Sequence, residues 1–526
     1  MGTQFSHVPT ANIQRSTFNR NHGYKTTMDS GVLVPIFVDE ALPGDTFSVR
    51  LSSLARLATP IVPFMDNIFI DFHFFAVPNR LVWEHWREFM GQQENPADST
   101  DFLVPVVNTP TGGFTVGSVA DYFGLPTGVE PLSVNALHFR ALNLIWNEWF
   151  RDENLQDSVP VPKNDGPDDI TNYTLLRRGK RHDYFTSCLP WPQKSQFPVE
   201  LPLGDSAPIV GFGKTNQVWA GASAPVYETG ATGTTTYAGH SAFNNADPNA
   251  AFFVEEDPNN TGYPGVYADL SSASAATINS LREAFQLQKM LERDARGGTR
   301  YTEIIRSHFS VVSPDSRLQR PEYLGGGSTP VVIQPIAQTQ ATSETVTPQG
   351  NLAAVGSSSQ SGVGFTKSFV EHCTIIGLAS IRCDLTYQNC VNKMWSRQTK
   401  YDFYWPALAH LGEEPVYSRE LFAQGEGNGD DAVFGYQERW ASYRYKPSQI
   451  TGKMRSNDPQ SLDVWHLSQD FAGVPQLNEE FIQENPPISR VIATPEEPEF
   501  IFDGYFRVKT TRPMPIRSVP GLIDHF

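Results

Sequence analysis

Residues 209–215 read IVGFGKT, a strand-like run leading into the Gly-Lys-Thr end of a phosphate-binding loop. In such a loop a glycine five positions before the Gly of Gly-Lys-Thr lets the backbone curl around phosphate oxygens. Here that position is Pro208, which has no N–H to offer, so this reading fails. His85 and Glu88 have the i, i+3 spacing of two ligands on one helical face, but no second pair with metal spacing accompanies them, and an ion pair at the surface is the simpler reading. The four cysteines, Cys188, Cys373, Cys383 and Cys390, include no CxxC; Cys383 sits in a strand pattern and is expected to pack inward. The carboxylate pairs Glu255-Glu256 and Glu413-Glu414 are expected to be solvated in loops. No GxSxG elbow or HExxH occurs, so the residues point to no enzyme and to no cofactor or metal.

Two basic groupings are more informative because the chain carries a formal net charge of −17. LLRRGKRHDYF holds Arg177, Arg178, Lys180 and Arg181, the densest positive run. The tail FRVKTTRPMPIRSVPGLIDHF adds Arg507, Lys509, Arg512 and Arg517 in an extended, proline-punctuated stretch. Bulk charge argues against a general nucleic-acid binder, so each grouping needs a local negative partner. Phosphates of a nucleic acid and carboxylates of a neighbouring subunit both remain open for these eight residues.

Four stretches alternate with the period of a half-buried strand. DTFSVRLSS sets Phe47, Val49 and Leu51 against Ser48 and Arg50; IFIDFHFFAV sets Ile68, Ile70, Phe72 and Phe74 against Asp71 and His73. SIRCDLTYQ sets Ile381, Cys383, Leu385 and Tyr387 against Arg382, Asp384 and Thr386, and GYFRVKTT sets Phe506 and Val508 against Arg507 and Lys509. Strands at both ends of the chain suit an antiparallel sandwich whose first and last strands meet, most simply a jelly roll. Helical period marks LVWEHWREFM from Leu81, SVNALHFRALNLIWNEWF from Ser133 and INSLREAFQLQKMLERDARGG from Ile278, expected as helices inserted in loops and packed on the sandwich. In the last, Ile278, Leu281, Phe285 and Leu291 form an apolar stripe.

With 40 Gly and 40 Pro in 526 residues, short strands and long loops are favoured over helical bundles. Residues 215–270 contain no Lys or Arg and read as an inserted surface subdomain, dividing the chain into 1–214, 215–270 and 271–526. The polar, small-residue segment from Gly325 to Gly364 reads as loose loop, with Val331, Val332 and Ile333 able to pair. No stretch approaches the roughly 18 apolar residues of a membrane span, and the first residues lack a signal-peptide pattern, so synthesis in a cytoplasm is expected.

Several long strings of unusual composition then stand out: FNRNHGYKTTMDSGVLVPIFVDEALPGDTF, LPWPQKS, RPEYLGGGS, DFYWPALAHLGEEPV and GYQERWASYRYKPSQITGKMRS. They resemble the major capsid proteins of gokushoviruses, within the Microviridae, from about Phe18 to Phe526 apart from residues 215–270. The resemblance implies an eight-stranded antiparallel jelly roll with long insertions, a T=1 icosahedral shell, and circular single-stranded DNA inside. It further implies a virion protein made in a bacterial cytoplasm, with a scaffold protein and a small basic DNA-associated protein as partners and a host receptor touched by residues 215–270. Roughly sixty such chains would carry on the order of a thousand negative charges around an anionic genome, so local basic residues must offset them. Two rivals follow from the residues alone: a carbohydrate-binding or glycan-cleaving β-sandwich using Trp395, Tyr401, Phe403, Tyr404 and Trp405, and a phage adhesin.

Overall fold

The computed structural model describes residues 14–195, 199, 209–210, 226–227, 236–237, 267–268, 278–342, 348–425 and 427–517. By contact the chain divides into two compact units, Met1–Pro192 with Asp294–Phe526, and Gln193–Arg293. Most of residues 215–270, including Glu255 and Glu256, lies outside the described residues.

The first unit is built on nine antiparallel strands: β1 (Ser16–Asn19), β2 (His22–Met28), β3 (Val34–Ala41), β4 (Thr46–Leu57), β5 (Ile68–Pro78), β6 (Glu322–Ala337), β7 (Leu352–Ser368), β8 (Cys373–Cys383) and β9 (Phe500–Arg512). β1 and β2 pair in succession with β9, Thr17 opposite Thr511 and Tyr24 opposite Gly504, so the first and last strands do meet. One sheet runs β1/β2, β9, β4, β7 and the other β6, β5, β8, β3. With β1 and β2 sharing one position, this is the expected eight-position jelly roll. β6 joins the sheets, its residues Glu322–Val331 pairing with β5 and Val332–Ala337 with β7.

Alternation explains the core. Phe47, Val49 and Leu51 of β4 and Phe502, Phe506 and Val508 of β9 point inward and are buried. They meet Phe37 of β3 and Ile70, Phe72 and Phe74 of β5 in one cluster, with ring centroids 5.1 Å apart for Phe37 and Phe506 and 6.1 Å for Phe72 and Phe502. Each such side chain contributes roughly 1.5–3 kcal/mol by burial. Cys383 joins this cluster as a buried free thiol whose pKa burial pushes well up.

Residues 79–321 separate β5 from β6, and residues 384–499 separate β8 from β9. Within the first insertion, α1 (Leu137–Ile145) continues as a wider π turn, Trp146–Phe150. Its Leu137, Phe139 and Ile145 cover Phe75 and Val77 of β5 and Ile376 and Leu378 of β8 on the outer side of that sheet. The sheet is therefore buried on both faces, and Asp71, expected on a polar side, is 5% exposed.

Four expectations are corrected. Most of the segment from Gly325 to Gly364 is not loose loop: its residues up to Ala337 lie in β6 and those from Leu352 lie in β7, and several of its glycines are required by crowding. A Cβ on Gly364 would lie 2.0 Å from the Val49 carbonyl oxygen. The third alternating run stops at Cys383; Tyr387 instead packs in a separate cluster with Phe185 and Val416 and donates its hydroxyl to Asp183. From Leu81 there is no continuous helix, only the turns Asn79–Leu81 and Trp86–Phe89. Between them the Trp83 indole and the His85 imidazole both bond Asp165 Oδ1 at 2.8 Å, which pins the backbone. Residues Ser133–Asn135 form a strand with Val106–Asn108 before α1 begins.

α2 (Ile278–Gly297), which spans the boundary of the two units, forms where expected. Of its described apolar positions, Phe285 and Met290 are 60% and 47% exposed, whereas Leu281 and Leu291 are half-buried and Ala295 is buried. α3 (Tyr301–Phe309) follows. No helix among the described residues is long and apolar enough to cross a membrane.

Candidate functional site

The basic run at 177–181 is laced between distant parts of the first unit. Leu33 N–H bonds the Leu176 carbonyl at 3.0 Å, Arg178 N–H the Gly31 carbonyl at 2.8 Å, and Lys180 N–H the Ile482 carbonyl at 2.7 Å. The side chains then find partners inside the chain. Arg177 donates to the Glu484 carbonyl at 3.0 Å. Arg178 pairs with Asp71 at 2.8 Å and donates to Ser380 at 2.7 Å. Lys180 donates to Gln469 at 2.7 Å and lies over the Phe481 ring, while Arg181 pairs with Asp384 at 3.1 Å and stacks 4.0 Å over Phe69.

Burial and charge explain the protonation of this region. Burial alone would raise the Asp71 carboxyl, but a hydrogen bond from Ser328 and the charges of Arg178 and Arg382 outweigh it and hold it below the usual range. Burial pulls Lys180 down to about 8 and pushes Glu484 up to about 7. Burial, with the Arg178 charge, holds His73 at about 4, so its imidazole is neutral near pH 7.

The tail residues have a different setting. Arg507 and Lys509 stand on the outward face of β9, where burial strictly alternates, and both are exposed. Arg507 lies directly opposite Arg50 of β4, and Lys509 opposite Ser48. Neither Arg507, Lys509 nor Arg50 has an ion-pair partner among the described residues. Like charges directly opposite each other on a sheet oppose folding. Arg512 is held by Asp45 at 3.0 Å, and Arg517 is exposed. Arg50 and the outward Arg56 were legible as outward from alternation, but their place beside β9 depends on long-range register.

The sites weighed from sequence resolve as follows. His85 is paired with Asp165, not Glu88, and stacks 4.3 Å from Phe102. Glu413 and Glu414 lie in the hairpin Glu413–Tyr417 and Val433–Glu438 and are not solvated: Glu413 pairs with Arg296, and Glu414 pairs with Lys393 at 3.2 Å. Among the described residues no group of three or more His, Cys, Asp or Glu could hold a metal ion. Trp395, Tyr401, Phe403, Tyr404 and Trp405 lie in one loop region and are 47–76% exposed, an apolar surface of the kind that partners cover.

Relatives share this whole chain. It is 48% identical over 534 residues to the capsid protein VP1 of Bdellovibrio phage phiMH2K, covering 99% of this chain and 98% of that one. It is 44% identical to the capsid protein VP1 of Chlamydia phage 1 (99% and 98% covered) and 37% identical to that of Spiroplasma virus 4 (98% and 97% covered). The family model for the capsid protein (F protein) matches residues 6–522, and a jelly roll with bare basic and aromatic surfaces suits a subunit of a shell. The chain belongs to that capsid protein family, of the gokushovirus type, and is a structural component of a virion.

Proposed function

We propose that this major capsid protein closes into a T=1 icosahedral shell around circular single-stranded DNA, catalyses no reaction, and touches the host cell through residues 215–270. The observation that carries the DNA part is the outward face of β9 and β4, where Arg50, Arg507 and Lys509 stand exposed and unpaired in a chain of net charge −17. Cationic side chains left without carboxylates lose little by meeting phosphates, and they gain counterion release. Arg517, exposed beyond the end of β9, is a further candidate for the same contact, and Arg512 is held beside the strand by its pair with Asp45. The run Arg177, Arg178, Lys180 and Arg181 is assigned first to holding the insertions on the sheet, and DNA or a neighbouring subunit meets whatever N–H groups remain.

Self-association is assigned to the exposed aromatic loop, whose Trp395 is 76% exposed. A scaffold protein and a small basic DNA-associated protein complete the assembly, which takes place in the bacterial cytoplasm. The test is electron microscopy and light scattering of the purified protein with phage single-stranded DNA or scaffold-containing lysate. Closed shells of megadalton mass holding nuclease-resistant DNA are expected, and Arg507→Glu with Lys509→Glu should lower the DNA retained. A persistent monomer or trimer under all these conditions would point instead to an adhesin or a glycan-binding sandwich.

A further inference from the structure

Residues 88–139 contain six carboxylates, Glu88, Glu94, Asp98, Asp101, Asp121 and Glu130, and no Lys or Arg. None of the six has an ion-pair partner among the described residues. The same stretch exposes large apolar side chains, Leu103 being 84% and Val116 83% uncovered. The aromatic loop has the opposite charge. Residues 395–405 and 439–446 hold five cations, Arg397, Lys400, Arg439, Arg444 and Lys446, against the one carboxylate Asp402. Among the described residues Arg444 alone of these five is ion-paired, with Glu438 at 2.5 Å. Arg397, Lys400 and Arg439 instead lie over the rings of Tyr443, Tyr401 and Trp440, at 3.9, 4.8 and 4.8 Å. Tyr404 joins the two pieces into one face: its ring is 5.6 Å from that of Trp440, and its N–H donates to the Tyr443 hydroxyl at 3.3 Å.

The two surfaces leave the sandwich from opposite ends. The acidic stretch follows β5, which ends at Pro78 opposite Cys373, and the basic aromatic stretch follows β8, which ends at Cys383 opposite Ile68. Strands of 11 residues put those exits about 35 Å apart. No hydrogen bond, ion pair or ring contact joins the two stretches among the described residues. Copies that each carry a formal charge of −17 repel one another, and they come together only where a contact sets unlike charges face to face. The aromatic face turned against itself would set cations on cations. DNA would neutralise the cations but leave the acidic surface, with its bare Leu103 and Val116, unmet. The acidic stretch of a second copy answers both surfaces at once. Two different patches joined in this way form a head-to-tail contact, which builds a ring of identical chains when the rotation between them closes.

We propose that the basic aromatic face of one subunit binds the acidic stretch around residues 94–103 of the next. The inference rests on the reading that the chain closes into a shell through the aromatic loop, and it names the surface that the loop meets. It is tested on the full-length protein, assembled with scaffold-containing lysate, in three variants: Lys400→Glu with Lys446→Glu, Glu94→Lys with Asp101→Lys, and all four together. These four side chains are exposed and make no ion pair or hydrogen bond among the described residues, so the melting curves should match that of the parent protein. Each double variant should lower the share of protein sedimenting as particles by about tenfold, and the quadruple variant should recover it to within about threefold of the parent. In particles built from mixed unlabelled and nitrogen-15-labelled chains, carbodiimide should join Lys400 or Lys446 of one chain to Glu94, Asp98 or Asp101 of another. Normal assembly of both double variants with no such cross-link would overturn the contact and leave the shell standing. Loss of particles in the double variants with no recovery in the quadruple variant would overturn the pairing of these two surfaces. Parent protein that never assembles would overturn the shell reading and this contact with it.

Discussion

The two sheets of the sandwich begin from similar alternating sequences and end in opposite circumstances. In the sheet of β6, β5, β8 and β3, the outer side is covered by α1 and its neighbours, so β8 is buried at nearly every position. In the sheet of β1/β2, β9, β4 and β7, the described residues leave the outer side uncovered, and β9 alternates buried with exposed. Arginines record the difference. Arg140, under the cover, is 0% exposed and grips Asp168 with two bonds of 2.6 and 2.7 Å, whereas Arg507 faces outward opposite Arg50. A covered face must satisfy its charges within the chain; a bare face can keep them for a partner.

The comparison breaks most severely at Asp168. Asp168→Ala leaves the Arg140 guanidinium buried without its carboxylate, and a loss of about 3–5 kcal/mol is expected in denaturant unfolding, with soluble yield falling accordingly. Melting that barely changes would mean the cover is looser than its geometry.

The next effect is pH dependence on the covered side. Burial raises the Glu484 carboxyl to about 7, so its folded-state pKa exceeds its unfolded value. Its contribution to stability is complete below about pH 4.5 and is lost as pH rises through about 7, a change on the order of 2–4 kcal/mol. Glu484→Gln should flatten that part of the stability profile between pH 5 and 8; an unchanged slope would assign it to other groups.

Overpacking between two neighbouring strands of one sheet, β7 and β4, comes third. Gly364→Ala should cost about 1–3 kcal/mol, because the new Cβ must push β7 away from the Val49 carbonyl. A neutral result would show that β7 can shift in register without loss.

The smallest expected effect has the opposite sign. Arg507→Glu places a carboxylate opposite Arg50 and should stabilise the isolated chain by roughly 0.2–1 kcal/mol, toward the low end because solvent screens the pair. The same variant should retain less DNA in assembled particles. Stabilisation without loss of DNA would remove this face from cargo contact.

Much of the fold is local enough to be read directly. The inward sets Phe47, Val49, Leu51 and Phe506, Val508 follow from a two-residue period that the backbone itself imposes, and the helical stripes locate α1 and α2 within a few residues. The glycine- and serine-rich β6 and β7 were hidden because their composition answers to crowding by β4 and β5, which no local pattern encodes. The candidate site divides the same way. Sequence alone located the two basic groupings, the capsid family and the outward direction of Arg507 and Lys509, because residue type and strand period are properties of neighbouring positions. Only the tertiary structure decided that Arg178 meets Asp71 across 107 residues of chain while Arg507 meets another arginine. A charge's partner is chosen by which distant segments pack together, and that choice is made by the whole fold at once.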